Sequence, residues 1–296
     1  MRRRYAIYLF VLGAIWGSSY LFIKVGVRDL SPAALIEIRL LCAAPLLVAF
    51  AAATQGWSAL RAGWREGIVL GVINAAIPFT LIAWGEKHVD SGVAAIANSS
   101  VPIFVAILAV WFVPSERSTG MRLVGVALGL VGVAVLAGVH PAGGWWGAAG
   151  TGAIILASVS YAAANLYAGR RMSVGGPVLA AASMVAAFVV LLPFALTSLP
   201  AVTPGWKAFG SAIALGVAGT AVAQVLSYRM IDRYGSARSV LVAYMLPAFA
   251  LLYGAVFLSE ALTWQKLFGL TLILGGVGLG SGAVRLPRRM PVTQSP

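Results

Sequence analysis

Residues 64–113 read WREGIVLGVINAAIPFTLIAWGEKHVDSGVAAIANSSVPIFVAILAVWFV, and residues 209–258 read FGSAIALGVAGTAVAQVLSYRMIDRYGSARSVLVAYMLPAFALLYGAVFL. The two stretches align without a gap at an offset of 145, which pairs Pro102 with Pro247. At an offset of 144 the match continues through residues 115–133, and the whole alignment has 19 identities in 69 positions. Chance would give roughly a tenth in so apolar a chain, so the sequence contains an internal repeat.

The composition excludes a water-soluble fold. Of the 296 residues, 60% are hydrophobic and only 10% are charged, whereas soluble domains have about 25% charged residues. Because a membrane-spanning helix needs about 20 apolar residues, the sequence predicts ten spans: 5–26, 32–53, 66–86, 91–112, 119–139, 146–169, 176–198, 207–231, 235–258 and 264–284. Five spans per repeat is an odd number, so the second copy must be inverted. The predicted fold is an all-α integral membrane protein with two inverted five-helix repeats, an architecture typical of secondary transporters.

The distribution of basic residues predicts the topology. If the spans alternate from a cytoplasmic N-terminus, 15 of the 21 Lys and Arg residues fall on the cytoplasmic side and five on the other. This bias follows the positive-inside rule, so both termini are predicted to be cytoplasmic. The pI near 10.6 then reflects topology and not a nucleic-acid partner. We divide the chain into a first repeat at 1–140, a second, inverted repeat at 141–285 and a cytoplasmic tail at 286–296.

Four short stretches resemble a known family. They are WGSSYLFIK at 16–24, EIRLLCAA at 37–44, NAAIPF at 74–79 and NSSVP at 98–102, and a Ser-Glu pair precedes the fifth and the tenth span. The set is similar to that of the drug/metabolite transporter superfamily, EamA type. The resemblance implies an inner-membrane permease whose central cavity is lined by helices 1–4 and 6–9, with helices 5 and 10 outside it.

Glu37 and Arg39 are ionisable residues inside a predicted span, where charges are costly and mark functional candidates. They lie two positions apart, so their side chains point roughly 200° apart on a helix and do not form one simple pair. Arg39 could anchor a substrate carboxylate or phosphate, or pair with a proton-coupling carboxylate; the alternative is a structural ion pair or a snorkelling side chain. Glu37 lies nearer the outer interface, which favours a structural role. It is nevertheless the one carboxylate that the sequence nominates for proton coupling.

Polar amides and aromatic residues within the spans form a second set of candidates. Asn165 follows Tyr161 by four positions and so shares a helical face with it. Amides and aromatic rings together suit the binding of an amphipathic small molecule, although each could instead join helices by hydrogen bonds. The predicted substrate-binding residues, in addition to Glu37 and Arg39, are Trp16, Tyr20, Asn74, Asn98, Tyr161, Asn165, Gln224 and Tyr244.

Prolines and acidic residues at equivalent repeat positions suggest two further roles. Pro102 and Pro247 each remove a backbone hydrogen bond within a span, so both halves are expected to bend at the same place, either as hinges or as static kinks.

Glu116 and Glu260 precede the fifth and tenth helices. We expect them to interact with the dipoles of those helices, with Thr119 and Thr263 as the capping residues.

The predicted function is a secondary transporter that moves a small metabolite, most plausibly an amino-acid-like one, by alternating access; export is implied by the resemblance alone. No P-loop motif is present, so a gradient must supply the energy: proton antiport, substrate exchange or facilitated diffusion. The alternatives are a drug or toxic-compound efflux permease, a membrane scaffold without transport and, least favoured, an intramembrane enzyme. We expect no cofactor and no metal, because two histidines and one cysteine are too few, and either a monomer or a homodimer.

Overall fold

The computed structural model describes residues 2–112, 121–137, 144–171, 174–235 and 242–280. These residues form ten helical segments in chain order. They are α1 (Arg2–Gly26), α2 (Pro32–Ala62), α3 (Trp64–Glu86), α4 (Ser91–Asn98 and Val101–Phe112), α5 (Met121–Ala137), α6 (Gly144–Arg171), α7 (Gly176–Thr197), α8 (Trp206–Tyr234), α9 (Val242–Leu258) and α10 (Trp264–Gly280).

Seven of these helices are long and apolar enough to cross a membrane, namely α1–α4 and α6–α8. The other three, α5, α9 and α10, are shorter apolar helices. Tryptophans near helix ends are strongly exposed, for example Trp111 (80%), Trp206 (81%) and Trp264 (86%), as is typical of side chains at the membrane interface. The prediction of an all-helical, multi-span membrane protein is therefore confirmed.

Each helix of the first half corresponds to the helix five places later in the second half, so that α1 corresponds to α6 and α4 to α9. Pairs of packed helices recur when each helix is exchanged for its counterpart. Helix α1 packs against α9 as α6 packs against α4, and α2 packs against α8 as α7 packs against α3. The pairs α1–α8 and α6–α3 correspond in the same way. Helices α2 and α7, which exchange under this shift, pack on each other, and so do α5 and α10.

Helices α3 and α8 each contain one π-helical turn, at Val72–Ala76 and at Val217–Val222. The two turns begin 145 residues apart, which is the offset of the sequence repeat. A π-helical turn includes one extra residue and leaves the ordinary i to i−4 hydrogen-bond pattern. The sequence predicts unbroken spans here, because an apolar pattern does not show where a single extra residue is accommodated.

A glycine precedes each π-helical turn and allows close contact with a neighbouring helix. A Cβ atom on Gly216 would lie 2.5 Å from the Arg39 carbonyl oxygen and 2.6 Å from the Cys42 Cβ, both in α2. A Cβ atom on Gly71 would meet α7 in the same way, 2.7 Å from the Ser183 carbonyl oxygen. Small residues at such places permit helix backbones to approach closely in membranes.

The helix kinks differ between the two halves. Helix α4 is interrupted at residues 99–100, so Pro102 lies in the first turn of its second piece. Pro247 lies inside the continuous helix Val242–Leu258, so the expected common bend is seen as a helix break only in the first half of the described chain. Helix α2 has a further break at Gly56, whose φ of 82° is left-handed and is readily adopted by glycine.

Candidate functional site

Arg39 lies in α2 and is buried, with 7% of its surface exposed. Its Nε–H donates a hydrogen bond of 2.8 Å to Thr220 Oγ1 in the π-helical turn of α8, and the Thr220 hydroxyl donates to the Leu215 carbonyl oxygen. The guanidinium carbon lies 3.8 Å from the ring centroid of Phe79 in α3. Within the described residues Arg39 has no carboxylate partner, so a ring face and a hydroxyl compensate its charge.

Tyr20 and Tyr161 both lie within electrostatic range of the Arg39 guanidinium. Asn98 donates through Nδ2 to the Tyr20 hydroxyl oxygen at 2.9 Å, and Asn98 Oδ1 accepts a hydrogen bond of 3.3 Å from the Ser158 hydroxyl. We call Tyr20, Arg39, Asn98 and Tyr161 the central cluster. It joins α1, α2, α4 and α6, and it unites four of the ten residues that the sequence predicts for the site.

Glu37 is buried as well, with 8% exposed, but it does not join the central cluster. It makes no ion pair with Arg39, as the two-residue spacing predicts. Both of its carboxylate oxygens are buried, and neither has a hydrogen-bond partner among the residues that the structure describes. A structural ion pair for Glu37 is therefore not seen in this part of the chain.

The remaining predicted residues are spread over the bundle. Trp16 packs in a separate apolar cluster around Leu12, and Tyr244 packs against the main core. Asn165 is exposed although Tyr161 is half-buried. Two amides lie in or next to the π-helical turns and are half-buried, Asn74 in the first turn and Gln224 just after the second.

Glu86, the last residue of α3, is a buried carboxylate that the sequence analysis missed. It is completely buried, and neither carboxylate oxygen has a hydrogen-bond partner within the described ranges. The Lys24 ammonium donates to the carbonyl oxygens of Glu86 and Val89, at 2.6 and 2.7 Å. Glu37 is therefore not the one buried carboxylate among the described residues, because the packing of α3 on neighbouring helices also buries Glu86, at a span end where a carboxylate would usually meet water.

The sequence predicts that Glu260 interacts with the dipole of its own helix, α10. In the structure it instead accepts hydrogen bonds from the first turn of α4. Its Oε1 accepts from the Ser91 backbone N–H at 2.7 Å and its Oε2 from the Gly92 N–H at 3.1 Å. The prediction for Thr263 is confirmed, since its hydroxyl oxygen accepts from the Lys266 backbone N–H. Glu116 and Thr119 lie outside the described residues.

A cavity of about 400 Å³ lies at the opposite end of the bundle from Lys24, between α1 and α8. It is lined by Tyr8, Arg229, Asp232 and Arg233, and none of the predicted site residues lines it. Within the central cluster Arg39 and Tyr20 are buried, whereas Asn98 and Tyr161 are half-buried.

A multi-span helical bundle with buried polar and charged side chains is typical of membrane transport proteins. Comparison with known proteins agrees with this class. The chain belongs to the EamA-like transporter family, which matches residues 3–138 and again residues 148–281. The resemblance seen in the sequence is thereby confirmed.

Several relatives have printed names that describe transport. The chain is 31% identical to an uncharacterized inner membrane transporter, YedA, of Escherichia coli strain K12, covering 92% of this chain and 88% of that protein. It is 26% identical to a probable amino-acid metabolite efflux pump of Salmonella typhimurium strain LT2, covering 99% and 100%. It is 30% identical to a probable terminal-alkyne amino-acid exporter of Streptantibioticus cattleyicolor, covering 94% of each.

A solved crystal structure shares the fold, with a TM-score of 0.65 at 20% identity over 95% of this chain and 97% of that one. The chain is thus a multi-pass inner membrane protein, and the family and the names of its relatives indicate a transporter rather than an enzyme.

Proposed function

We propose that this chain exports an amino-acid-like metabolite by alternating access, with Arg39 as the anchor for the substrate carboxylate. The observation that supports this most is the burial of the Arg39 guanidinium without a carboxylate partner in the described structure. A buried charge is normally paired, and a planar guanidinium suits bidentate binding of a carboxylate. The names of two relatives, an amino-acid metabolite efflux pump and an amino-acid exporter, agree with this substrate class.

In this proposal the two halves of the chain are the inverted repeats 1–140 and 141–285, with both termini and the tail 286–296 in the cytoplasm. The recurring helix pairs, the π-helical turns at an offset of 145 and the two family matches support the repeat. The excess of basic residues on one side supports the orientation. Rocking of the two halves would expose a site at their interface to each side in turn.

Arg39 is well placed to report on such a movement, because it belongs to the first half and bonds to Thr220 of the second. A substrate carboxylate would compete with the Thr220 hydroxyl for the guanidinium. Binding would therefore replace a contact between the halves by a contact to the substrate. The Tyr20 hydroxyl and the Asn98 amide bond to each other in this conformation and would exchange that bond for one to the polar groups of the substrate.

The test is efflux from proteoliposomes loaded with a mixed pool of amino acids and their amides, which lack the carboxylate. We expect the wild type to release amino acids in preference to their amides, and Arg39→Gln to lose that preference. Arg28→Gln, at an exposed arginine on the turn after α1, is the matched control and should keep it. If Arg39→Gln and the wild type release amino acids over their amides with the same preference, Arg39 does not anchor the substrate carboxylate. Equal release of acids and amides by the wild type would favour a drug efflux permease.

A further inference from the structure

The buried carboxyl group of Glu86 lies at the end of the bundle where α1 and α3 end and α4 begins. We call this the Lys24 end. The described residues that act electrostatically on Glu86 are Lys24 and Tyr20 from α1 and Glu260 from the segment before α10.

The hydrogen bonds at the Lys24 end indicate which of the neighbouring carboxyl groups holds a proton. Glu260 accepts a backbone N–H bond on each of its two carboxyl oxygens. Glu86 receives no hydrogen bond from any described residue on either oxygen, and an ionised carboxylate is far more costly to bury in that state than a neutral carboxyl group. The neutral form of the Glu86 carboxyl group is therefore the less costly one in this conformation.

The Lys24 ammonium does not point its hydrogen bonds at the Glu86 carboxyl group. It donates to two backbone carbonyls, those of Glu86 and Val89, and so clamps α1 onto the turn between α3 and α4. The Glu86 carboxyl oxygens lie more than 4 Å from the ammonium. Loss of the Glu86 proton would create a strong acceptor to which the ammonium can turn only by leaving the two carbonyls. One cation would then have two competing sets of partners, and the protonation of Glu86 selects between them.

We propose that Glu86 is a proton-carrying site of this transporter and that its proton controls the Lys24 clamp. With the proton bound, Lys24 holds the backbone turn and this end of the bundle is closed. When the proton leaves to water, Lys24 turns to the carboxylate, the bonds to the two carbonyls break and this end is free to open. The charge of the Lys24 ammonium balances the new negative charge. The proposal rests on the proposed transport function.

Infrared spectroscopy of the full chain in liposomes at neutral pH tests the protonation directly. The difference spectrum of wild type minus Glu86→Gln should contain the band of a protonated carboxyl group. The difference spectrum for the neighbouring Glu260→Gln should contain a carboxylate band instead. A carboxylate band in the Glu86→Gln difference would overturn the proposal. If Glu86→Gln does not fold, Glu86→Met has a similar volume and allows the same comparison.

Efflux of a mixed amino-acid pool from proteoliposomes, with and without a pH gradient, tests the role in transport. A tenfold proton gradient can sustain a substrate ratio of about tenfold when one proton is exchanged per substrate. We expect the gradient to accelerate efflux by the wild type and by Asp232→Asn, which changes an exposed carboxylate at the opposite end of the bundle, but not by Glu86→Gln. Acceleration that survives in Glu86→Gln would overturn the proposal. Failure of the wild type to release any amino acid would count against the proposed substrate class, and the infrared result would still decide the state of Glu86.

Discussion

Replacing Gly216 by alanine should destabilise the protein, whereas the same change at Gly210 in the same helix should not. A Cβ atom at position 216 would lie 2.5 Å from the Arg39 carbonyl oxygen and 2.6 Å from the Cys42 Cβ, where ordinary contacts are 3.4–4 Å. The Arg39 oxygen belongs to the main chain of α2 and the Cys42 Cβ is fixed to it. Helices α8 and α2 must therefore separate by about 1 Å to reach an ordinary contact distance. At Gly210 a Cβ atom has nothing within 4 Å.

The expected magnitude follows from two opposing effects. Alanine is favoured over glycine within a helix by about 0.5–1 kcal/mol, and this gain is common to both variants. Overpacking at Gly216 costs about 1–3 kcal/mol. The free energy of unfolding of Gly216→Ala should therefore be lower than that of Gly210→Ala by about 1–3 kcal/mol.

The assay is unfolding of both variants in mixed detergent micelles, followed by circular dichroism. Amino-acid efflux provides a second measurement, because separating α8 from α2 also lengthens the 2.8 Å bond between Arg39 and Thr220. Efflux should fall in Gly216→Ala and stay near the wild-type rate in Gly210→Ala. Equal stability of the two variants would refute the close packing described at Gly216.

Three further predictions concern single side chains. Glu260→Ala should lower the free energy of unfolding by about 2–4 kcal/mol, since it leaves two backbone N–H groups of α4 unpaired. The same unfolding assay measures this change. A loss of stability no larger than that of an exposed Glu→Ala change would contradict the prediction. Tyr20→Phe removes the acceptor of the Asn98 amide and should cost about 1 kcal/mol, and an unchanged stability would show that the bond does not contribute. Burial, followed by the charges of Lys87 and Lys24, lowers the pKa of His88 below its ordinary 6.5. The folded state therefore binds fewer protons than the unfolded state, and stability should fall as the pH drops below about 6.5. Unfolding measured across that range should show this slope in the wild type but not in His88→Gln.

Much of the fold could be predicted from the sequence because the bilayer imposes a strong rule on it. Long apolar stretches must be helices in hydrocarbon, so eight of the ten predicted spans agree with a described helix to within a few residues. One of the other two is the ninth span, whose predicted start lies seven residues before Val242 in a stretch that is partly outside the described residues. Helix α2 extends further than predicted, to Ala62. Its last turns, around and beyond the break at Gly56, are more polar than the rest of the helix, so a search for apolar runs does not include them.

The central cluster was predictable in part, for reasons that differ between residues. Arg39 was found because a charge within an apolar run stands out. Glu86 was missed because a carboxylate at the end of a span normally faces water. Its burial depends on contacts from distant parts of the chain: Lys24 from α1, and the close approach of Gly85 to Gly150 at the start of α6. The partner of Glu260 was missed for the same reason, as α4 lies almost 170 residues earlier in the chain.

The contact between Glu260 and α4 also determines the order in which the protein can mature during synthesis. The amides of Ser91 and Gly92 leave the ribosome long before residue 260 is made. Until that residue arrives, these two N–H groups lack the partner that they have in the folded protein. A nascent chain that stops before Glu260 therefore has an incomplete first half, even though every residue of that half has been translated. Ribosome-stalled chains ending on either side of this position should differ in their resistance to protease at α4.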